Sequence, residues 1–209
     1  MAGMLKVNPN RMELLKLRRR LVIARRGHKL LKDKFDELMK RFIVLIRESR
    51  ELREEVEADL NRAYGVFALA RSETSTAEME EALSFPKATV ELGVRKTNVV
   101  SVAVPEFDLA TRGEFDCYGL ALTPTDFDES LRRYQEVLPR MVTLAQKEKA
   151  VYLLAEEIEK TRRRVNALEY VLIPQLEETI RYITMKLDEF ERANLTRLMK
   201  IKEMVAEST

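Results

Sequence analysis

A general base, a nucleophile or a soft metal ligand would have to come from His28 or Cys117, the one histidine and the one cysteine of the chain. Structural zinc takes four ligands, mostly nitrogen or sulfur, and two such residues far apart in sequence do not supply them. His28 falls in line with a recurring apolar series, so it reads as a packed, register-setting residue. Cys117 has no basic neighbour to stabilise a thiolate and reads as packing. A lone cysteine forms no internal disulfide and fits a reducing compartment. Neither the phosphate-cradling G-x-x-x-x-G-K-[ST] nor the dinucleotide G-x-G-x-x-G pattern occurs. Glu/Lys pairs at helical spacing are surface ion pairs worth about a few tenths of a kcal/mol each. The nine methionines, among them Met39, Met141, Met185 and Met199, read as adaptable seam fillers rather than a cofactor box. These residue types predict no catalytic site, no cofactor and no metal.

What the chain does concentrate is positive charge. Net charge is only +2, yet from Arg11 to Lys34 ten basic residues face two acids, Glu13 and Asp33, a local charge of +8. Such a block can bind nucleic acid or anionic lipid, or form a solvated or protein-binding helix face. It lacks interleaved aromatics, so base stacking is unsupported. Further along, Arg162, Arg163 and Arg164 stand in sequence before Asn166. Three consecutive arginines fan over most of a helix circumference, so at least one faces away from any packed stripe. Glu159 lies within reach of Arg162 and Arg163 along the same helix.

These charges sit on elements that read as long helices. Charged residues make up 34% of the chain, with six glycines, six prolines and no tryptophan, a long-helix composition. Asn10 caps a first helix, with Glu13 placed as in a capping box. Its apolar series runs Leu14, Leu17, Leu21, Ala24, His28, Leu31, Phe35, Leu38, Phe42, Leu45, Ser49, Leu52 and Val56. Alternating steps of three and four are the coiled-coil repeat. The helix is expected to run to about Ala70, some sixty residues or about 90 Å. Gly27 and Gly65 weaken it locally, and Gly27 beside His28 would admit another backbone closely. Ser72–Thr76 ends this arm, with a helical turn at Glu78–Leu83 before Phe85-Pro86.

The middle changes period. Val90, Leu92 and Val94 alternate with polar residues, and Val100, Val102 and Val104 with small ones. Lys96-Thr97-Asn98 is the expected hairpin turn, and Pro105 the expected end of the second strand. Residues 106 to 124, with Phe107, Phe115 and Tyr118, read as a loop or lobe packed on the hairpin. Helix returns at Thr125 as cap, with Asp126 and Asp128 in the first turn. Pro139 is expected to break it and start a new helix. The second seam then reads Leu144, Val151, Leu154, Ile158, Val165, Leu168, Leu172, Leu176, Ile180, Ile183, Leu187 and Phe190. Steps of four from Leu168 to Ile180 break the heptad and should unwind the supercoil, while Pro174 should kink the helix. The expected fold is mainly α: a long antiparallel two-helix coiled coil with a small β-hairpin-containing middle. Its parts are an N-terminal helix at 1–75, a hairpin lobe at 76–125 and a C-terminal helix at 126–209. The N-terminus lacks a signal-peptide core, and no run of eighteen apolar residues spans a bilayer.

Two stretches carry a resemblance: NPNRMELLKLRRRLVIARRGHKLLKDKFDELM from Asn8 to Met39, and EEIEKTRRRVNALEYVLIPQLEETI from Glu156 to Ile180. Together, and with the order helix, β-containing middle, helix, they resemble the D subunit of the V-type and A-type rotary ATPases. The resemblance covers essentially the whole chain, strongly in the arms and weakly in the middle. It implies a non-catalytic central rotor shaft coupling ATP hydrolysis or synthesis to transport of protons or sodium ions, in a cytoplasmic complex peripheral to the membrane. Implied partners are the hexamer of catalytic A and nucleotide-binding B subunits, the small F subunit, and the socket protein (the C or d subunit) on the membrane rotor ring, with no nucleic acid and no direct membrane insertion. Both termini would enter the hexamer, as the F-type gamma subunit does in its own complex. On this reading Arg162, Arg163, Arg164 and Asn166 are candidates for hexamer contact, with Arg18, Arg19, Arg25, Arg26 and Lys29 as further candidates. The F subunit would take Arg41–Glu57 and Leu131–Glu148, with the hairpin nearby. Two rivals remain from the residues alone, a prefoldin-like coiled-coil chaperone and a nucleic-acid-binding coiled coil.

Overall fold

A computed structural model describes residues 5, 7–84, 86–113, 118–119 and 123–207. The expectations for Phe85, Phe115 and Cys117 lie outside them. In chain order the elements are α1 (Arg11–Glu73), α2 (Thr76–Leu83), β1 (Thr89–Val99), β2 (Val102–Arg112), α3 (Thr125–Ala167), a π-helical turn at Leu168–Leu172, and α4 (Ile173–Glu207). The fold is mainly α, with paired antiparallel helices and one hairpin, as the periodicity predicts. The chain divides into two compact units, Met1–Asp36 with Glu159–Thr209, and Glu37–Ile158.

In the first unit α1 starts where its cap predicts. The Glu13 N–H donates to Asn10 Oδ1 at 2.7 Å, filling one of the open donors of a helix start. The Glu13 carboxylate accepts from Lys16 Nζ at 2.7 Å. Leu17, Ala24, Leu176 and Ile183 form the core, flanked by Leu14, Leu21, Ile173, Ile180 and Leu187. Each fully buried leucine or isoleucine contributes about 1.5–3 kcal/mol. Ion pairs Arg11–Glu191, Arg25–Glu177 and His28–Glu169 step backwards along the second chain segment as the first advances, which makes the pairing antiparallel. Thr179 is buried. Its hydroxyl accepts the Leu5 N–H at 3.1 Å and donates to the Gln175 carbonyl at 2.6 Å. That pair pins the segment before α1 onto α4.

The second seam departs from the expected series at one place. Leu172 is exposed, while its neighbour Ile173 packs in the core. The Ile173 N–H donates to the Leu168 carbonyl, five residues back, which is the bond of a π turn. Five residues in one turn carry the seam from Leu168 to Ile173, and from there Leu176, Ile180, Ile183 and Leu187 keep steps of three and four. The run of fours in the sequence is thus absorbed by one inserted residue in a wide turn. Pro174 follows immediately; it has no N–H for the Tyr170 carbonyl, so an ordinary α-helical ladder would lose a bond there anyway. Phe190 is also exposed, at 57%, because α1 begins opposite Glu191 and offers nothing beyond it. Thr161, buried, fills the seam step between Ile158 and Val165 that the apolar series skipped.

In the second unit Leu38, Ala150 and Leu154 pack with Val102 and Val104 of β2, joined by Phe42 and Leu45. Arg53 Nε donates to Glu148 at 3.1 Å, Arg140 to Asp59 at 2.6 Å and Lys147 to Glu48 at 2.9 Å; from Glu48 to Asp59 the partner falls from Lys147 to Arg140, the antiparallel sense. Glu148, first by its hydrogen bond and then by its charge, raises the Arg53 pKa further above its ordinary value. All thirteen expected seam positions of α1, in both units, are buried or half-buried. Pro139 lies inside α3 rather than starting a helix. The α3 stripe, with Val137 buried just before it, outweighs the proline's cost of about 3 kcal/mol. Thr125 is likewise the first helical residue rather than the cap.

The hairpin is longer than expected. β1 and β2 pair from Thr89↔Arg112 to Val99↔Val102, so the turn is Val100-Ser101, not Lys96-Thr97-Asn98. Both turn residues have positive φ, 50° and 68°, as a two-residue type I′ turn requires. Pro105 sits within β2 opposite Lys96, tolerated because both strands of a two-stranded sheet are edges. One face carries ion pairs Arg95–Asp108 and Arg112–Glu91; the other lines up Val90, Leu92 and Val94 with Leu109 and Phe107. Residues 106–112 are therefore strand, not lobe. Gly113 has φ +90°, and a Cβ there would lie 2.4 Å from the Lys87 carbonyl oxygen, so only glycine fits. Tyr118 packs edge-on against Phe127, with ring centroids 4.9 Å apart, beside Ala70 and Met79. Its hydroxyl donates to Asp128 at 2.6 Å. The described part of the lobe thus packs on helices rather than on the hairpin.

Leu154→Ala should cost about 2–5 kcal/mol, whereas Phe190→Ala should stay within about 0.5 kcal/mol of the parent. Urea midpoints of the two variants check this; equal losses would contradict the seam described.

Candidate functional site

The nine polar residues singled out in the sequence all lie in the unit Met1–Asp36 with Glu159–Thr209, and all nine are exposed. α1 carries Arg18, Arg19, Arg25, Arg26 and Lys29 outside its buried stripe of Leu17, Leu21 and Ala24. The end of α3 carries Arg162, Arg163, Arg164 and Asn166 around the buried Thr161. Arg25 donates to Glu177 at 2.7 Å, and Arg163 pairs with Glu159 one turn back. Arg18, Arg19, Arg26, Lys29, Arg162 and Arg164 form no ion pair among the described residues. His28 is partly buried, with Nε2 3.3 Å from Glu169 Oε2. That pair ties α1 to the π turn, little more than one helical turn beyond Arg164, and brings the two cationic groups onto neighbouring levels of one helix pair. It is partly packed, as expected of a polar seam residue.

Apolar groups among these charges were not singled out by periodicity, because they lie off the seam. Ile23, Leu30 and Tyr170 are 68%, 70% and 68% exposed. A groove of about 570 Å³ runs beside the π turn, lined by Ile23, Gly27, Leu168, Leu172 and Leu176, with Arg20 at its edge. Gly27 admits no other backbone here, since a Cβ built on it meets nothing within 4 Å. Beyond Glu191, α4 has no partner helix among the described residues, and its Leu195, Leu198, Met199, Ile201 and Met204 are all exposed. A sequence signal existed for Ile23, Leu30, Tyr170 and the end of α4, which are apolar residues at helical positions that the heptad leaves outside.

No group of three or more metal-ligating side chains occurs among the described residues, and no helix among them is long and apolar enough to cross a membrane. A family model for the ATP synthase D subunit matches residues 13–203. The chain belongs to that family. It is 56% identical over 204 residues to the V-type ATP synthase D subunit of Thermoanaerobacter sp. (strain X514), covering 97% of this chain and 98% of the relative. It is 54% identical over 209 residues to the V-type ATP synthase D subunit of Acetivibrio thermocellus, covering 98% and 94%. A third relative, the V-type ATP synthase D subunit of Clostridium botulinum (strain Langeland), is 52% identical over 208 residues, covering 97% and 96%. The resemblance drawn from the two arms is therefore a family membership, and the chain is part of a multi-subunit rotary ATPase complex.

Because the unpaired cations are solvated in the isolated chain, Arg18→Ala, Arg19→Ala and Arg26→Ala should each shift its stability by no more than about 0.5 kcal/mol. Thermal melts would show it; a loss several times larger would mean these side chains serve the chain's own fold.

Proposed function

We propose that this chain is the non-catalytic rotor shaft of a V/A-type rotary ATPase, coupling ATP hydrolysis or synthesis to rotation of the membrane ring and transport of protons or sodium ions. The observation that carries this, alongside the family membership, is the unpaired cationic and apolar surface gathered on one antiparallel helix pair that includes the end of α4. That end, with Leu195, Leu198, Met199, Ile201 and Met204 exposed, enters the cavity of the hexamer of A and B subunits. Arg162, Arg163, Arg164 and Asn166, with Arg18, Arg19, Arg25, Arg26 and Lys29, meet the hexamer around it. The F subunit binds at Arg41–Glu57 and Leu131–Glu148 near the hairpin, and the socket protein, the C or d subunit, takes the end formed by α2 and the start of α3. The complex sits at the cytoplasmic side of the membrane, with the shaft outside the bilayer.

A pair of helices has no threefold symmetry. Inside a hexamer of three repeated sites it therefore contacts each site differently. Only such differential contact energy can shift a site between open and closed, and the coupling is reciprocal in binding free energy. Nucleotide state then biases shaft angle, and shaft angle biases nucleotide affinity. The chaperone and nucleic-acid readings draw no support from the family.

Reconstitution with purified A and B subunits tests the reading. Native mass should give one copy per hexamer, with ATP turnover altered on addition. No binding, or several copies per complex, would remove the rotor role. In the assembled complex, the double variant Arg163→Ala, Arg164→Ala should lower coupled turnover about tenfold or more, the scale of losing interface hot spots; unchanged coupled turnover would take these arginines out of the hexamer contact.

A further inference from the structure

Glycine inside a helix costs about 1 kcal/mol relative to alanine. Gly27 bears that cost with no return inside this chain: its backbone is ordinary helix, and a Cβ there would meet nothing within 4 Å. The space a side chain would occupy is the groove beside the π turn. That turn has its own cost, since it breaks the α-helical ladder to fit one additional residue between Leu168 and Ile173. The additional residue leaves Leu172 facing the groove instead of the seam. Two locally unfavourable choices, on two different helices, thus open the same apolar hollow.

The charge around the hollow is one-sided. Between Arg18 and Lys29 stand six cations and no acid, against Glu169, Glu177 and Glu178 on the facing stretch. Two of those three acids are already held, Glu169 by His28 and Glu177 by Arg25. An occupant that fits must be apolar at its tip and acidic around it.

We propose that the Gly27 groove is a socket for a bulky apolar side chain carried on an acidic segment of the A or B subunits. This rests on the rotor reading and adds to it a single, off-axis point of engagement. One socket on a shaft inside three repeated sites is filled by one subunit at a time. Its occupancy therefore differs between the three sites at every angle, which is the differential contact a rotor needs.

The test fills the socket from within. Gly27→Leu should keep or raise the melting temperature of the isolated chain, because the helix gains propensity and the side chain covers Leu168 and Leu172. In the reconstituted A/B hexamer it should weaken binding or reduce turnover about tenfold, the scale of a central interface contact. Gly65→Leu is the control: its Cβ position is equally open but lies in the other unit, so hexamer binding should not change. Deleting exposed Tyr170 is the second variant. It returns the π turn to an α turn while keeping the seam in step, so the chain should fold and bind the hexamer less well. Parental and Gly27→Leu chains with equal affinity and turnover would overturn the socket and leave the rotor reading standing. A parental chain that does not bind the hexamer fails the rotor reading itself. A lowered melting temperature for Gly27→Leu, or a dimer of the isolated chain that it abolishes while hexamer binding stays intact, would also overturn the proposal.

Discussion

Two helices packed against each other bury only a stripe, and that constraint governs the rest of the molecule. A stripe of Leu17, Ala24, Leu176 and Ile183 in one unit, and of Leu38, Ala150 and Leu154 in the other, leaves most of each helix circumference in water. Such a surface has to be charged or covered. The sequence does both: a third of its residues are ionised, and the apolar residues off the stripe cluster beside the cations and along the end of α4.

The stripe also explains where local rules give way. Pro139 sits in a helix because the apolar positions around it are needed on one face. The π turn exists because seams on either side of Leu168 must both face α1, and the spacing between them is one residue too long for ordinary turns. A valine accepts positive φ at position 100 because Val99 and Val102 fix the hairpin's register against the helix core. In each case a cost of a few kcal/mol at most is outweighed by continuous burial.

The first arm was legible almost residue by residue, since a sustained 3.5-residue repeat means a helix with a partner along its length. The second arm was legible up to Leu168. Beyond it a constant number of residues per turn no longer holds, and the run of fours, a real fault in the repeat, marks an inserted residue rather than a change of supercoil. The hairpin turn was misplaced because Lys96-Thr97-Asn98 has turn-like composition and Val100-Ser101 does not; register, set by burial of Val102 and Val104, decided it. Exposure of the nine polar candidates was legible from the stripe, as was the Glu159–Arg163 pair. The groove was not, because the run of fours does not say which residue leaves the seam, and the empty space at Gly27 has no periodic signature.

The hairpin's two faces are unlike: one is crossed by ion pairs, and the other presents Val90, Leu92 and Val94, each about half exposed. Edge strands with a bare apolar face are what newly made chains use to stick to one another. At high concentration, then, the first contact between two copies of this polypeptide falls on one sheet face rather than on the charged helices.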